Sequence, residues 1–295
     1  MESEFVPIVL VYRAIELGLL VPLGGESFVR IEQLERWIWK EHGFFIETSI
    51  MPDCDEPFTV HIYSGVVYMG SLMTETINKI HNIDCLQGFK LIKDKAVDLI
   101  LTDIPYDVVN RDSNGLRDLD KKDADIIKFD LTSFLNECIR VCKGSIYIFC
   151  GTEQVSYIRE TLVKADLSTR LIIWEKTNPS PMNGEYIWLS GIEVCIFGKF
   201  SGATFNEKCK NTVLKYPTVR NGFHPTEKPL KLFQYLINTS SNEGDLVLDP
   251  CIGSGTTAIA AAELKRNFIG FELNTEYYKI AQKRLLDWNS QIKLF

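Results

Sequence analysis

The sequence predicts an α/β fold in which a mostly parallel sheet is covered by helices on both faces, preceded by a small α+β unit. From residue 75 onward, short runs rich in Ile, Leu and Val alternate with helical runs, a pattern typical of parallel strands buried on both faces. A glycine turn also joins one of these strands directly to a helix, as in ligand sites of open α/β sheets. The chain of 295 residues is long enough for one large domain and one smaller unit.

The larger predicted domain covers residues 73–295. Its strands are predicted at 77–83, 97–102, 145–150, 170–175, 192–198, 245–249 and 267–272. Its helices are predicted at 131–142, 153–165, 229–240, 256–265 and 275–287.

Residues 1–72 are predicted to form the separate α+β unit, with helices at 7–20 and 31–41 and strands at 44–50 and 58–63. This unit has four basic and eleven acidic residues, so it accounts for the formal net charge of −7 of the whole chain. Its charge would repel phosphates. We therefore expect it to brace the fold, or to contact a protein partner or a second subunit, rather than nucleic acid.

The composition excludes several classes of protein. No apolar run approaches the roughly 18 residues of a membrane-spanning helix, and the acidic N-terminus does not resemble a signal peptide. The eight cysteines form no C-x-x-C pair, which favours free thiols in a reducing cytoplasm. The four histidines show no metal-ligand spacing, so no metal site is predicted.

The residues Asp103, Ile104, Pro105 and Tyr106 follow the strand predicted at 97–102. A carboxylate, a proline and an aromatic ring at the end of such a strand suit the binding of a flat, amino-bearing base. The carboxylate would accept hydrogen bonds from the amine, and the ring would stack on the base.

A glycine loop follows the strand predicted at 245–249. Gly253 and Gly255 allow a ligand to approach the backbone, and Glu272, at the end of the next strand, is placed to accept hydrogen bonds from ribose hydroxyls. The loop also fits a loose dinucleotide signature, but Asp249 in front of it would repel a pyrophosphate. A cationic donor without phosphates, such as S-adenosylmethionine, suits it better.

In chain order, the segments 103–106, 224–229, 249–257 and 270–272 resemble the β-class of S-adenosylmethionine-dependent DNA amino-methyltransferases, the N6-adenine and N4-cytosine DNA methylases of prokaryotes and phages. The resemblance covers about residues 77–288, and Ile104 departs from the family's D-P-P-Y motif. It implies a Rossmann-like class I methyltransferase sheet with strand order 3-2-1-4-5-7-6. The order is permuted, so that the catalytic motif precedes the donor motif and the strand at 245–249 lies beside the strand at 97–102.

The resemblance also implies the roles of individual residues. The catalytic set is Asp103, Ile104, Pro105 and Tyr106. The donor-binding set is Asp84, Cys85, Thr226, Lys228, Asp249, Pro250, Cys251, Gly253, Gly255, Thr256, Glu272 and Asn274.

Aspartate at the first position of the motif, Asp103, resembles the N6-adenine enzymes, whereas serine is more usual in the N4-cytosine enzymes. The resemblance therefore implies N6-adenine methylation in DNA, as in restriction-modification systems. A cytosine N4 enzyme and a weakly active, donor-binding regulatory protein remain alternatives. Methyltransferases that modify glutamine side chains usually have Asn in place of the aspartate and carry the donor motif first, which disfavours that class.

The expected recognition segment, residues 199–223, is short. Its basic residues Lys208, Lys210, Lys215 and Arg220, with Arg111 from an earlier segment, are candidates for contacts with DNA phosphates. A base inside a duplex cannot reach a buried site, so we expect the target base to be flipped out or single-stranded.

Overall fold

The computed structural model describes residues 76–105, 130–181, 184–219 and 227–292, together with three short strands nearer the N-terminus. The chain divides into two units, Met1–Tyr68 and Met69–Phe295. In the first unit, β1 (Leu20–Leu23), β2 (Glu26–Val29) and β3 (Thr59–Val60) form an antiparallel sheet. The β1–β2 hairpin was not predicted. Nearly all of both predicted helices of this unit lies outside the described residues, as does the strand predicted at 44–50.

The second unit alternates strands and helices. Its strands are β4 (Lys79–His81), β5 (Val97–Asp103), β6 (Cys142–Cys150), β7 (Ser168–Lys176), β8 (Ile192–Lys199), β9 (Val213–Tyr216), β10 (Leu246–Asp249) and β11 (Asn267–Phe271). Its helices are α1 (Cys85–Phe89), α2 (Leu131–Val141), α3 (Val155–Lys164), α4 (Leu230–Ser240), α5 (Thr256–Glu263) and α6 (Thr275–Ile292). Each strand and helix predicted for this unit has a counterpart, whereas α1 and β9 were not predicted.

The eight strands form one sheet in the order β4-β11-β10-β5-β6-β8-β7-β9. β10 lies between β11 and β5 and is parallel to both, and β8 is antiparallel to β6 and β7. The predicted α/β fold class is confirmed. The edge strand β9 lies inside the expected recognition segment. It was not predicted, because the four residues Val213–Tyr216 are too few to distinguish a strand from a loop.

The core lies on both faces of the sheet because successive residues of the central strands point in opposite directions. Ile100 of β5 packs on the face covered by α1, α2 and α3, with residues such as Phe134. Leu99 and Leu101 pack on the other face, covered by α4, α5 and α6, with residues such as Leu232. Burial on both faces explains the apolar run Leu99–Leu101 at the centre of β5, which carries no alternation.

The functional residues gather at one edge of the sheet. β5, β6, β10 and β11 are parallel, so their carboxyl ends meet at this edge. The antiparallel strand β8 begins there, since Val194 pairs with Cys150 at the end of β6. Loops from five strands therefore converge where ligands bind in open α/β sheets.

Gly144 is required where β5 and β6 pair irregularly. The register shifts between Val97 and Leu99, and a Cβ atom on Gly144 would lie 1.8 Å from the carbonyl oxygen of Asp98. We expect Gly144→Ala to reduce the free energy of unfolding by about 1–3 kcal/mol, measured by denaturant unfolding. Gly191→Ala is the matched control, because its Cβ would meet only the carbonyl oxygen of Leu189 at 3.9 Å. Equal stabilities of the two variants would contradict this explanation.

Candidate active site

Asp103 is the last residue of β5, and its carboxylate forms an ion pair with the ammonium group of Lys228. Lys228 lies just before α4, and only 4% of its side chain is exposed. The same ammonium contacts Oε2 of Glu193 at 3.0 Å. A lysine that the sequence suggested as a donor ligand therefore lies directly on the candidate catalytic carboxylate.

Glu193, the second residue of β8, connects two ammonium groups. Its Oε1 lies 2.9 Å from Nζ of Lys176, at the end of β7. Burial raises the pKa of Glu193, but the ammonium groups of Lys228 and Lys176 outweigh burial and lower it overall. Burial would lower the pKa of Lys228, yet Asp103 and Glu193 raise it. Glu193 and Lys228 therefore remain charged at neutral pH.

The backbone after Asp103 is fixed by two hydrogen bonds. The N–H of Ile104 donates to the carbonyl of Phe149 at 3.1 Å, which extends the pairing of β5 with β6. The side-chain amide of Gln154 donates to the carbonyl of Pro105 at 3.3 Å. A proline at position 104 could not make the first bond, so isoleucine continues the ladder here. Tyr106 lies outside the described residues.

Asp249, at the end of β10, is 2% exposed and binds residues on both sides of the glycine loop. Its carboxylate accepts hydrogen bonds from the backbone N–H of Cys251 at 3.1 Å and from the hydroxyl of Thr257. Burial raises the pKa of Asp249 to about 7, against these hydrogen bonds. The buried Pro250 follows it in the loop.

The glycine loop is shaped for close approach of a ligand. Gly253 and Gly255 have φ angles of +54° and +88°, and Gly255 caps the start of α5 before Thr256. No atom lies within 4 Å of the position of a Cβ on Gly253. The loop therefore has free space above its backbone that a donor could occupy.

Glu272 links the glycine loop to the loop before α6. Its Oε2 accepts a hydrogen bond from the N–H of Gly253 at 2.9 Å, and its Oε1 accepts one from the N–H of Asn274 at 2.7 Å. Burial raises the pKa of Glu272. Asn274 in turn caps α6 by accepting a hydrogen bond from the N–H of Glu276.

Asp84 and Cys85 follow β4 at the same edge. Asp84 caps α1, because its carboxylate accepts a hydrogen bond from the N–H of Leu86 at 2.9 Å. The thiol of Cys85 contacts that of Cys251, and this contact together with burial raises the pKa of Cys251 well above its usual range. The loops after β4 and β10 thus meet through their cysteines.

Arg284 of α6 connects the two halves of the site and was not predicted. It donates to the carbonyl and hydroxyl oxygens of Ser254 at 2.8 Å each, and it contacts Oε1 of Glu227 at 2.8 Å. Glu227 directly precedes Lys228, so Arg284 ties the glycine loop to the lysine at Asp103. Thr226 lies outside the described residues.

The lysines that the sequence suggested for DNA binding are exposed and could therefore reach phosphates. Lys210 lies 3.4 Å from Glu207, and Lys215 of β9 lies 3.0 Å from Glu175. Such exposed ion pairs are weak and exchange readily. Lys208 is also exposed, while Arg111 and Arg220 lie outside the described residues.

Over the described parts of the chain, no helix is long and apolar enough to cross a bilayer. Within the same residues, no group of three or more His, Cys, Asp or Glu side chains could hold a metal ion.

Sequence and structure comparisons define the class of protein. The profile of the DNA methylase family matches residues 187–283. Type II methyltransferase M.HinfI of Haemophilus influenzae is 31% identical, over 72% of this chain and 71% of the relative. DNA adenine methyltransferase YhdJ of Escherichia coli (strain K12) is 31% identical, over 68% of this chain and 80% of the relative. The solved complex of M1.HpyAVI with S-adenosylmethionine has a TM-score of 0.56 and 29% identity, over 70% of this chain and 98% of that chain.

The chain therefore belongs to the DNA methylase family. The resemblance noted from its motifs is confirmed.

The hydrogen bond from the N–H of Ile104 predicts that isoleucine gives a more stable protein than the proline of related motifs would at this position. Ile104→Pro leaves the carbonyl of Phe149 without its donor, so we expect a loss of about 1–3 kcal/mol in the free energy of unfolding. Ile104→Val keeps the N–H and most of the packing, and should cost about 0.5–1.5 kcal/mol. Denaturant unfolding of both variants measures the difference. A proline variant at least as stable as the valine variant would contradict the role of this N–H.

The burial of Asp249 predicts a pH dependence of stability. Its pKa is about 7 when folded and 3.8 in its ordinary state, so the folded protein binds a proton more readily. This carboxyl therefore favours unfolding above pH 7, and that penalty is relieved as the pH falls. Between pH 8 and pH 5.5, this carboxyl should raise the unfolding free energy of the wild type by about 2 kcal/mol. Asp249→Asn should lack this increase.

The exposed Asp166, whose φ of +61° suits asparagine, provides the control variant Asp166→Asn for this measurement. Parallel pH curves for the wild type and Asp249→Asn would show that Asp249 does not titrate in this range.

Proposed function

We propose that this protein transfers a methyl group from S-adenosylmethionine to the N6 amine of adenine in DNA. One observation carries the proposal: the carboxylate of Asp103 ends β5 immediately beside the glycine loop that ends β10. An acceptor for an amine thus adjoins a loop with room for a donor. The relative named as a DNA adenine methyltransferase and the related structure with S-adenosylmethionine support the choice of base and donor.

The residues at the glycine loop fit S-adenosylmethionine, which supplies a methyl group activated by its positive sulfur. The space above Gly253 would admit the methionyl part, and Asp249 would favour positive charge nearby. Glu272 keeps lone pairs beyond its two backbone bonds that would accept the ribose hydroxyls. The remaining proposed donor contacts are Asp84, Cys85, Thr226, Pro250, Cys251, Gly255, Thr256 and Asn274.

The amine of adenine is a poor nucleophile because its lone pair is delocalised into the ring. Asp103 and the carbonyl of Ile104 would accept hydrogen bonds from the amine and increase its electron density as the methyl group arrives. Tyr106 would stack on the base, and Pro105 would fix the loop.

Lys228 must then share Asp103 with the arriving amine. Glu193 balances the charge of Lys228 during this exchange, because its carboxylate contacts the same ammonium. Lys228 would thus stay at the base pocket, in addition to its proposed role near the methionyl carboxylate.

The proposal extends to partners and organisation. The target base would enter as a flipped or single-stranded base, with Lys208, Lys210, Lys215, Arg220 and Arg111 on phosphates. Residues 73–295 would form the methyltransferase domain, and residues 1–72 would contact a second subunit or a protein partner. Such an enzyme would work in the cytoplasm, where DNA and donor are present.

Asp103→Asn tests the proposal. The amide offers one acceptor oxygen and no charge, so we expect methyl transfer to fall by roughly 10²-fold or more, with donor affinity within about threefold of wild type. Methyl transfer is measured with labelled S-adenosylmethionine and unmethylated DNA, and the modified nucleoside is identified by mass spectrometry.

Asp94→Asn, at an exposed carboxylate away from the site, serves as the control and should retain full activity. Methylated cytosine as the product would overturn the choice of adenine. Methylation of RNA or protein alone would overturn DNA as the substrate, and full activity of Asp103→Asn would overturn the role of Asp103.

A further inference from the structure

A cluster of exposed apolar side chains lies directly before β8. Of the twelve large apolar side chains that are exposed in the described residues, five fall between positions 186 and 192. Tyr186 is 88% exposed, Ile187 68% and Trp188 95%. Single exposed apolar residues are ordinary, but a contiguous group of this kind marks a contact surface. We call Tyr186–Leu189 the aromatic segment.

The aromatic segment is held in place by its flanks. A Cβ atom on Gly184 would lie 2.7 Å from Cδ2 of Leu189, so Leu189 packs closely over this glycine. The carbonyl of Gly191 accepts a hydrogen bond from the N–H of Lys176 at 2.8 Å. These contacts fix the C-terminal end of the segment, while Tyr186, Ile187 and Trp188 are exposed to solvent.

The position of the segment relates it to the base pocket. Glu193 and Asp103 share the ammonium of Lys228, so the start of β8 lies at the pocket. Trp188 precedes Glu193 by five residues, which limits the distance between their Cα atoms to about 18 Å. This distance is comparable with the width of a DNA duplex.

β9, which belongs to the expected recognition segment, lies beside β7. The N–H of Thr177, the residue after β7, donates to the carbonyl of Tyr216 at 3.2 Å, and the N–H of Thr218 donates to Asn178 at 2.6 Å. Lys215 lies on the same strand as Tyr216. The aromatic segment connects β7 to β8, and in the sheet these two strands lie between β5, which carries Asp103, and β9, which carries Lys215.

We propose that Tyr186 and Trp188 stack on DNA bases next to the target adenine. The rings enter the space that the flipped base leaves in a duplex, or stack on neighbouring bases of a single strand. This inference rests on the proposed function and adds the residues that hold the DNA open. Stacking is tolerant of sequence, since every base has a π face, which suits a protein with a short recognition segment.

A second copy of the chain is a poorer occupant for this surface. A stable interface buries about 800 Å² on each partner, and four side chains provide only part of that area. Two aromatic rings are, in contrast, sufficient to cover one step of stacked bases.

The experiment compares Trp188→Ala, Tyr186→Ala and Trp188→Phe with the wild-type protein. Affinity is measured by fluorescence anisotropy on a short mixed-sequence duplex and on its separate single strands. Each alanine variant should bind at least one of these DNAs roughly fivefold to a hundredfold more weakly. Trp188→Phe should bind within about threefold of wild type.

Affinity for S-adenosylmethionine should be unchanged. Binding of DNA should quench the tryptophan fluorescence of the wild type but much less that of Trp188→Phe.

Leu286→Ala is the control, because Leu286 is 63% exposed on α6 and lies far along the chain from the segment. Alanine variants with wild-type affinity for both forms of DNA would overturn the inference, as would a wild type that binds neither. So would a weaker affinity that follows a change in oligomeric mass, since that result would assign the segment to a second copy. If the wild type binds DNA through these rings but methylates no base, the proposed function fails and only the assignment of the rings to DNA stacking stands.

Discussion

The ion pairs of Lys228 with Asp103 and Glu193 are the interaction on which the arrangement of the site depends. They join the end of β5, the start of β8 and the residue that leads into α4, which come from three distant parts of the sequence. Because Lys228 is almost fully buried, its charge would be costly without both carboxylates. Lys176 continues the network from Glu193, and Arg284 attaches the preceding residue, Glu227, to the glycine loop. The base site and the donor site are therefore one connected structure.

The fold could be predicted because its strands are buried on both faces, which produces short apolar runs such as residues 99–101. Most helices of the larger domain follow from amphipathic patterns, and their bounds differ from expectation mainly at the ends, as in α6, which extends to Ile292. The short elements α1 and β9 escaped prediction, since five and four residues carry too little periodicity to distinguish them from loops.

The site was predictable where the chemistry is local to a motif. Asp103, Asp249 and Glu272 could be found because each lies at the end of a strand or directly after it, and Asp249 and Glu272 also lie near glycines. Glu193, Lys176 and Arg284 could not be found in this way, because each gains its role from a partner far away in the sequence. The only sequence signal for Glu193 was a charged residue at the start of an otherwise apolar strand, a position where burial requires a partner. Ile104 illustrates the converse, since its departure from the motif is explained by a backbone hydrogen bond that no motif records.

The order of the strands along the chain has a consequence for how the protein folds. β10 inserts between β5 and β11, and the N–H of Leu246 donates to the carboxylate of Asp98 across 148 positions of sequence. During synthesis, the edge of β5 that pairs with β10 thus remains unpaired until residues 246–249 have been made. Contacts between such distant segments form slowly and leave apolar strand surfaces exposed in the meantime. The centre of the sheet is completed only when β10 pairs with β5, and the capacity to bind the donor arises together with the closure of the core.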